Sequence, residues 1–294
     1  VMWSLAALAF VAIYFFKVPF PIIILAAAII GFIGGKLRRD KFLVIRGHGS
    51  KPGDAEATVI DDNAASAEHT RPTLARALKV CATWLALWWL PIGLLALWLG
   101  TSHTLFREAI FFSKASMVTF GGAYAVLPYV SQQAVEHYSW LSAGQMLDGL
   151  GLAETTPGPL IMVLQFVGFL GGWNQPGTLS PLLAATLGAI ITTWTTFLPC
   201  FLWIFLGAPH IEQLRGNQKL TAALSAITAA VVGVILNLAV WFGAHVLFPT
   251  PATLDAFALA VSCIAFLGIT RWKWDVIAVI TAAGFAGLAF QWLR

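Results

Sequence analysis

Long apolar runs divided by short polar turns fill most of the chain, and they are too continuous for the one-sided pattern of surface helices. They predict helices over residues 1–16 and 20–35, joined by a turn at Lys17-Val18-Pro19. Further helices follow over 80–100, kinked at Pro91, and over 104–137, 141–172, 179–206, 219–248, 253–269 and 274–292. A membrane span needs ~20 apolar residues, so the first two are short. The alternating segments of a membrane barrel are absent, which leaves an all-α, polytopic membrane protein. Two runs are broken: 104–137 at Phe120-Gly121-Gly122, and 141–172 at Glu154-Thr155-Thr156-Pro157-Gly158-Pro159.

The second break carries the local signature of a helix start. Thr156 is a preferred N-cap, Pro157 suits the first helical position, and Pro159 falls within the first turn. The apolar run Leu160–Leu170 behind it takes the new helix into surroundings where water is scarce. Its free N–H groups then need a partner, and an anion is suited to them. Gly121 and Gly122 admit positive φ or a close backbone approach, while small-residue helix packing is the simpler account of a lone glycine pair. Two broken helices near each other form the pattern of a transporter's midplane site.

Composition supports the class: 59% of residues are hydrophobic and 10% charged, against roughly a quarter charged in soluble domains. The net charge of +4 reflects topology rather than nucleic acid, because the basic residues sit beside membrane segments. More than half of them (Lys36, Arg38, Arg39, Lys41, Arg46, Lys51, Arg71, Arg76 and Lys79) lie in residues 36–79, whose middle is rich in Gly, Ala, Ser, Asp and Pro. That stretch reads as a solvated, disordered linker, placed in the cytoplasm by the positive-inside rule together with Arg215, Lys219, Arg271 and Lys273. Cys81, Cys200 and Cys263 stand singly in apolar runs and read as packing residues. His48 and His69 in the linker are only weak metal-site candidates, and no cofactor is expected. No nucleophile–base–orienter set is apparent, so the chain is not read as an enzyme. It opens Val1-Met2-Trp3 inside an apolar run without a signal-peptide pattern, and is expected to have lost its natural start.

His103, Arg107 and Lys114 share one helical face, the last two ~10.5 Å apart along the axis. A helix N-terminus contributes ~0.3–1 kcal/mol to holding an anion, up to ~2 when partly buried, whereas taking a charge out of water costs several. A cation should therefore assist, and Lys114, six residues before Phe120, is the best placed. Arg107 reads equally as a snorkelling residue. Glu154 and Asp148 are candidate proton carriers; the alternative is that they are solvated or paired with Lys114. Gln165, Asn237 and Thr192 to Thr196 read as helix-packing hydrogen-bond groups. His103, His137, His210 and His245 fall mostly at predicted helix ends, which disfavours a haem-bearing membrane subunit.

The opening hairpin (apolar run, Lys17, Phe20-Pro21, Ala-rich run to Gly31) weakly resembles the closing one (apolar run, Lys273, Trp274-Asp275, Ala-rich run to Gly284). An odd number of crossings separates equivalent helices, so the two turns are expected on opposite sides. This points to an inverted repeat, with residues 1–35 as the end of a first repeat and 80–294 as a complete second one.

With these residues in view the chain resembles the chromate ion transporter family. The resemblance rests on Thr119-Phe120-Gly121-Gly122-Ala123-Tyr124-Ala125-Val126-Leu127-Pro128, on Gly149 through Pro159, and on Gln165-Phe166-Val167-Gly168, and covers roughly residues 105–294. It implies two domains of opposite orientation in long members, export of chromate from the bacterial cytoplasm at the expense of the proton gradient, and an inner-membrane location. It marks Phe120, Gly121, Gly122, Pro157, Gly158 and Pro159 as motif positions; Lys114, Thr156, Glu154 and Asp148 follow from position and charge. The expected partners are chromate, protons as coupling ion, the bilayer, the missing N-terminal repeat and, as an open option, a second copy of the chain. Sulfate, also a tetrahedral dianion, is the rival cargo, and a non-transporting membrane subunit the rival class.

Overall fold

The computed structural model describes residues 1–37, 42, 73–119, 123–156, 158–210, 217–248 and 253–292. Phe120, Gly121, Gly122, Pro157 and most of the linker lie outside the described residues, as do the side chains of Glu154 and Thr155. All regular structure among the described residues is helical: α1 (Met2–Tyr14), α2 (Phe20–Leu37), α3 (Leu74–Leu99), α4 (Thr104–Met117), α5 (Ala123–Gln132) with a π-turn (Gln133–His137), α6 (Ala143–Thr155), α7 (Val163–Asn174) after a 3-10 turn (Leu160–Met162), α8 (Pro181–Gly207), α9 (Gln218–Leu247), α10 (Ala256–Arg271) and α11 (Val276–Trp292). Of these α2, α3, α8 and α9 are long and apolar enough to cross a membrane. α3 begins well inside the stretch expected to be linker. Thr73 accepts a hydrogen bond from the Arg76 N–H and caps the helix, which carries Arg76 and Lys79 in its opening turns.

Both broken elements are re-entrant hairpins that begin and end at one side of the bundle. His103, at the start of α4, contacts the Pro176 carbonyl beyond α7, and Gln175 donates to the carbonyls of Tyr138 and Ser139 after the π-turn. Asn174 at the end of α7 donates to the Trp140 carbonyl, just before α6. These bonds gather four hairpin ends into one junction. At 1.5 Å per residue, the 14 residues of α4 and the 13 of α6 reach ~20 Å inward, about two thirds of a hydrocarbon core of ~30 Å. The described residues beside the breaks therefore stand ~20 Å from the junction in depth, and those of the second, Thr156, Gly158 and Pro159, are exposed. The opposite end is where α2 stops and α3 begins, and we term it the linker end.

Small residues let the long helices approach. The stripe Ile24, Ala27, Gly31 and Gly35 of α2 lies on Ala222, Ala226 and Ala230 of α9. A Cβ at Gly31 would come within 2.6 Å of the Ala222 carbonyl oxygen and the Ala226 methyl. α1 meets α9 at Gly233, where a Cβ would overlap the Ala6 carbonyl. Such close backbone contact is how helices associate where lipid removes the hydrophobic drive. Two prolines add polar ties. Pro91 has no N–H to offer the Leu87 carbonyl one turn back, and the Trp194 indole of α8 donates to that carbonyl instead (3.0 Å). Pro199 likewise frees the Thr195 carbonyl, to which Ser116 of α4 donates (3.4 Å). Trp88 of α3 also donates to Ser113 of α4 (2.9 Å). The proline positions are thus where α3, α4 and α8 are bound together.

Candidate functional site

The second break departs from the expected helix start. Thr156 is the C-cap of α6, extended at φ −91° and ψ 126°, with its N–H returned to the Leu152 carbonyl. The next helical turn begins only at Leu160, behind Pro159. The reason is steric: a residue before proline is pushed out of the α region, so Thr156 before Pro157 and Gly158 before Pro159 both resist helical geometry. Gly158 adopts φ +151°, which side chains rarely tolerate. The result is an extended segment between a helix C-terminus and a short helical turn that has no side-chain cap.

This segment opens onto a cavity of ≈ 440 Å³, within the range of small-ligand sites. Thr156, Gly158, Pro159 and Gln165 supply its polar groups, while Leu152, Met162, Phe166, Phe169 and Ala189 supply apolar walls. Gly149 lies against the Phe166 ring, where a Cβ would overlap it. No lysine or arginine is among the lining residues. Lys114 and Arg107 are both exposed on α4, and Asp148 is exposed on α6. The structure therefore brings Thr156, Gly158 and Pro159 together, and places Lys114 and Asp148 outside the cavity they form.

Other expected groups have local roles. The His103 ring accepts from the Leu105 N–H and so caps α4. Thr193 and Thr195 bond back to carbonyls of their own helix. Asn237 lines a smaller polar cavity of ≈ 60 Å³ near the junction, with Lys17, Ser131, Gln132 and Glu136. A cavity of ≈ 500 Å³ between α10 and α11 is walled by Val261, Ile264, Trp274 and alanines, and offers little for an anion.

Sequence reading missed Glu108. It follows Arg107 on α4, but ~100° per residue turns it inward while Arg107 turns out. Its side chain is fully buried, and among the described residues neither carboxylate oxygen has a hydrogen-bond partner. Space for it exists because Gly171 of α7 and Gly188 of α8 lack side chains: a Cβ at Gly171 would overlap Glu108 Oε1, and one at Gly188 would stand 3.0 Å from Oε2. Thr192 Oγ1, against Gly168 in the same helix contact, is also buried and unpartnered. The signal available in the sequence was an acid inside the apolar run Leu105–Phe112 together with glycines at 168, 171, 172 and 188.

The chromate transporter family model matches residues 106–288, which includes α5 to α10 and the larger part of α4 and α11. A chromate transport protein of Pseudomonas aeruginosa is 33% identical over 174 residues, covering 59% of this chain and 39% of that protein. One from Cupriavidus metallidurans is 28% identical over 157 residues, covering 53% and 36%. The uncharacterized transporter YwrA of Bacillus subtilis is 26% identical over 185 residues, covering 62% of this chain and 95% of its own length. The chain thus spans well under half the length of the curated chromate transport proteins it matches. No solved structure matches it.

Proposed function

The chain belongs to the chromate transporter family, and from that premise we propose that it carries chromate out of the cytoplasm by alternating access, driven by the proton gradient. The observation that carries this reading is the cavity at the break of the second hairpin, lined by Thr156, Gly158, Pro159 and Gln165. Chromate is a tetrahedral dianion whose oxygens accept hydrogen bonds. The Gly158 N–H, the Thr156 hydroxyl and the Gln165 amide are donors at that place, and hydrogen bonds to a charged group contribute ~1.5–3 kcal/mol each. Pro157, the motif position between them, is proposed to belong to the same site. The motif residues Phe120, Gly121 and Gly122 are proposed to contribute to the same anion site.

Lys114 is assigned to the approach rather than the seat, since it is exposed and lines no part of the cavity. Asp148 and Glu154, on the helix that leads into the break, are proposed as proton carriers on the same route. Lys36, Arg76, Lys79 and Lys219 stand at or near the helix ends of the linker side, which by the positive-inside rule supports a cytoplasmic 36–79 linker; the bacterial inner membrane is the proposed location. The opening and closing hairpins are proposed to be inverted equivalents, so single cysteines at Val18 and Trp272 should label from opposite faces.

The test is uptake of labelled chromate into inside-out vesicles containing the protein at its natural length, with and without a proton gradient and with excess sulfate. Gradient-dependent uptake that sulfate barely inhibits is expected. Sulfate uptake in place of chromate would reassign the cargo while keeping the site; uptake of neither would reject transport by this site.

A further inference from the structure

We infer that Glu108 is a binding site for the coupling proton, held where α4, α7 and α8 meet. The inference deepens the proton-coupled reading above and rests on it for its place in a cycle, but the site itself stands on packing.

A carboxyl group without hydrogen bonds, enclosed by helix backbone, is tolerated in its neutral form and strongly disfavoured as an anion. Among the described residues no counter-charge is at hand. On α4, Arg107 and Lys114 point to the exposed face, and His103 is engaged by Leu105 and Pro176. α7 carries no titratable residue, and α8 carries only Cys200, which is exposed and three turns beyond Gly188. α3 meets α4 through Trp88, whose indole is spent on Ser113, and its own Cys81, Lys79 and Arg76 precede Trp88 by about two to three turns. From the junction side the Trp140 side chain stands against Gly171, with Tyr138 stacked on it. In membrane segments such an ionisable group marks function before structure, because an apolar residue of the same size would pack there without the penalty.

The ligand is a proton rather than a metal ion because there is no room for anything larger. Gly168 and Gly188 touch backbone to backbone beside the carboxyl, and Glu108 is not among the residues lining the cavity at the break. The same two helices build that cavity: Ala189 follows Gly188, and Gln165 precedes Gly168 by one turn, and both line it. Parting α7 from α8 would therefore admit water to Glu108 and reshape the chromate cavity in one movement. The proton then leaves the carboxyl for that water, and its return lets the glycine contact close again. Thr192 Oγ1, unpartnered at the same contact, is placed to donate to the carboxylate in the parted state.

The test has two arms on the protein at its natural length. In the first, infrared spectra of wild type and Glu108→Gln are compared across pH. The expected result is a carboxylic C=O band of an acid without hydrogen bonds, present in wild type at neutral pH and absent from the variant. Identical spectra would overturn the proposal, whatever the cargo proves to be. In the second, chromate accumulation in proteoliposomes is measured with and without a proton gradient. Glu108→Gln, which keeps the shape and cannot ionise, is expected to bring the ratio of the two to one, and a ratio equal to wild type would overturn the coupling role. If wild type moves no chromate at all while the infrared band is present and lost in the variant, the proton site stands and the transport reading fails.

Discussion

The two re-entrant hairpins share a plan and differ in what they do with polar groups. Residues 104–137 turn their one internal carboxyl into a glycine-lined contact with no opening, and put Arg107 and Lys114 outside. Residues 143–174 instead leave peptide groups and side-chain donors facing a cavity of ≈ 440 Å³. The contrast follows from neighbours. The first hairpin is clamped to α8 and α3 by Ser116, Ser113 and Trp88, whereas the second has two proline-restricted residues that forbid a continuous helix. A transporter needs both kinds of place: one that binds its ion by closing, and one that stays open enough to take a larger anion.

The sharpest way to break the comparison is to force the closed contact. Gly188→Val should overlap the Gly168 carbonyl and destabilise by ~1–3 kcal/mol or more, because overpacked helices must shift apart. Thermal unfolding in detergent checks it. Gly151→Ala on the second hairpin, where an added Cβ would meet none of the described atoms within 4 Å, should be neutral or stabilising by up to ~1 kcal/mol. Next, Gly158→Ala places a methyl on a backbone at φ +151°, a strain of ~1–3 kcal/mol. It should lower chromate transport by about tenfold, as each 1.4 kcal/mol is a factor of ten, with vesicle uptake normalised to protein amount as the measure. Trp194→Phe leaves the Leu87 carbonyl without its donor and should cost ~1 kcal/mol of stability with little effect on anion affinity. Lys114→Ala has the smallest expected effect: an exposed charge contributes ~0.2–1 kcal/mol, a loss of up to about fivefold in uptake that disappears in high salt.

Much of this was legible in the chain. Apolar run length gave two of the long helices almost to the residue, 219–248 for Gln218–Leu247 and 179–206 for Pro181–Gly207, and missed the start of a third, expected at 80 and found at Leu74. The position of the second break was equally plain, since Pro157-Gly158-Pro159 admits no helix. Its detail was not, because N-cap preference at Thr156 and the pre-proline restriction pull in opposite directions, and the second prevails. Re-entrance was illegible for another reason. It depends on Asn174 and Gln175 reaching the carbonyls of Tyr138, Ser139 and Trp140, over thirty residues away, and no local periodicity reports that. Glu108 was overlooked because the basic residues drew the reading of α4 to its outer face, and only the glycines of two other helices show that the inner face has space for an acid. The closing hairpin shows the limit of pattern from the other side: α10 and α11 were expected as helices and are helices, but only Gly268 of the two is buried, whereas the similar opening hairpin is seated on α9.

Equilibrium binding of labelled chromate to the purified protein tests most directly where the anion sits. Saturable binding is predicted for wild type, weakened about tenfold or more in Gln165→Leu at the hairpin cavity and unchanged in Lys17→Ala at the smaller polar cavity near the junction. Binding lost in Lys17→Ala and intact in Gln165→Leu would contradict it, and would move the anion from the broken hairpin to the junction end of the bundle.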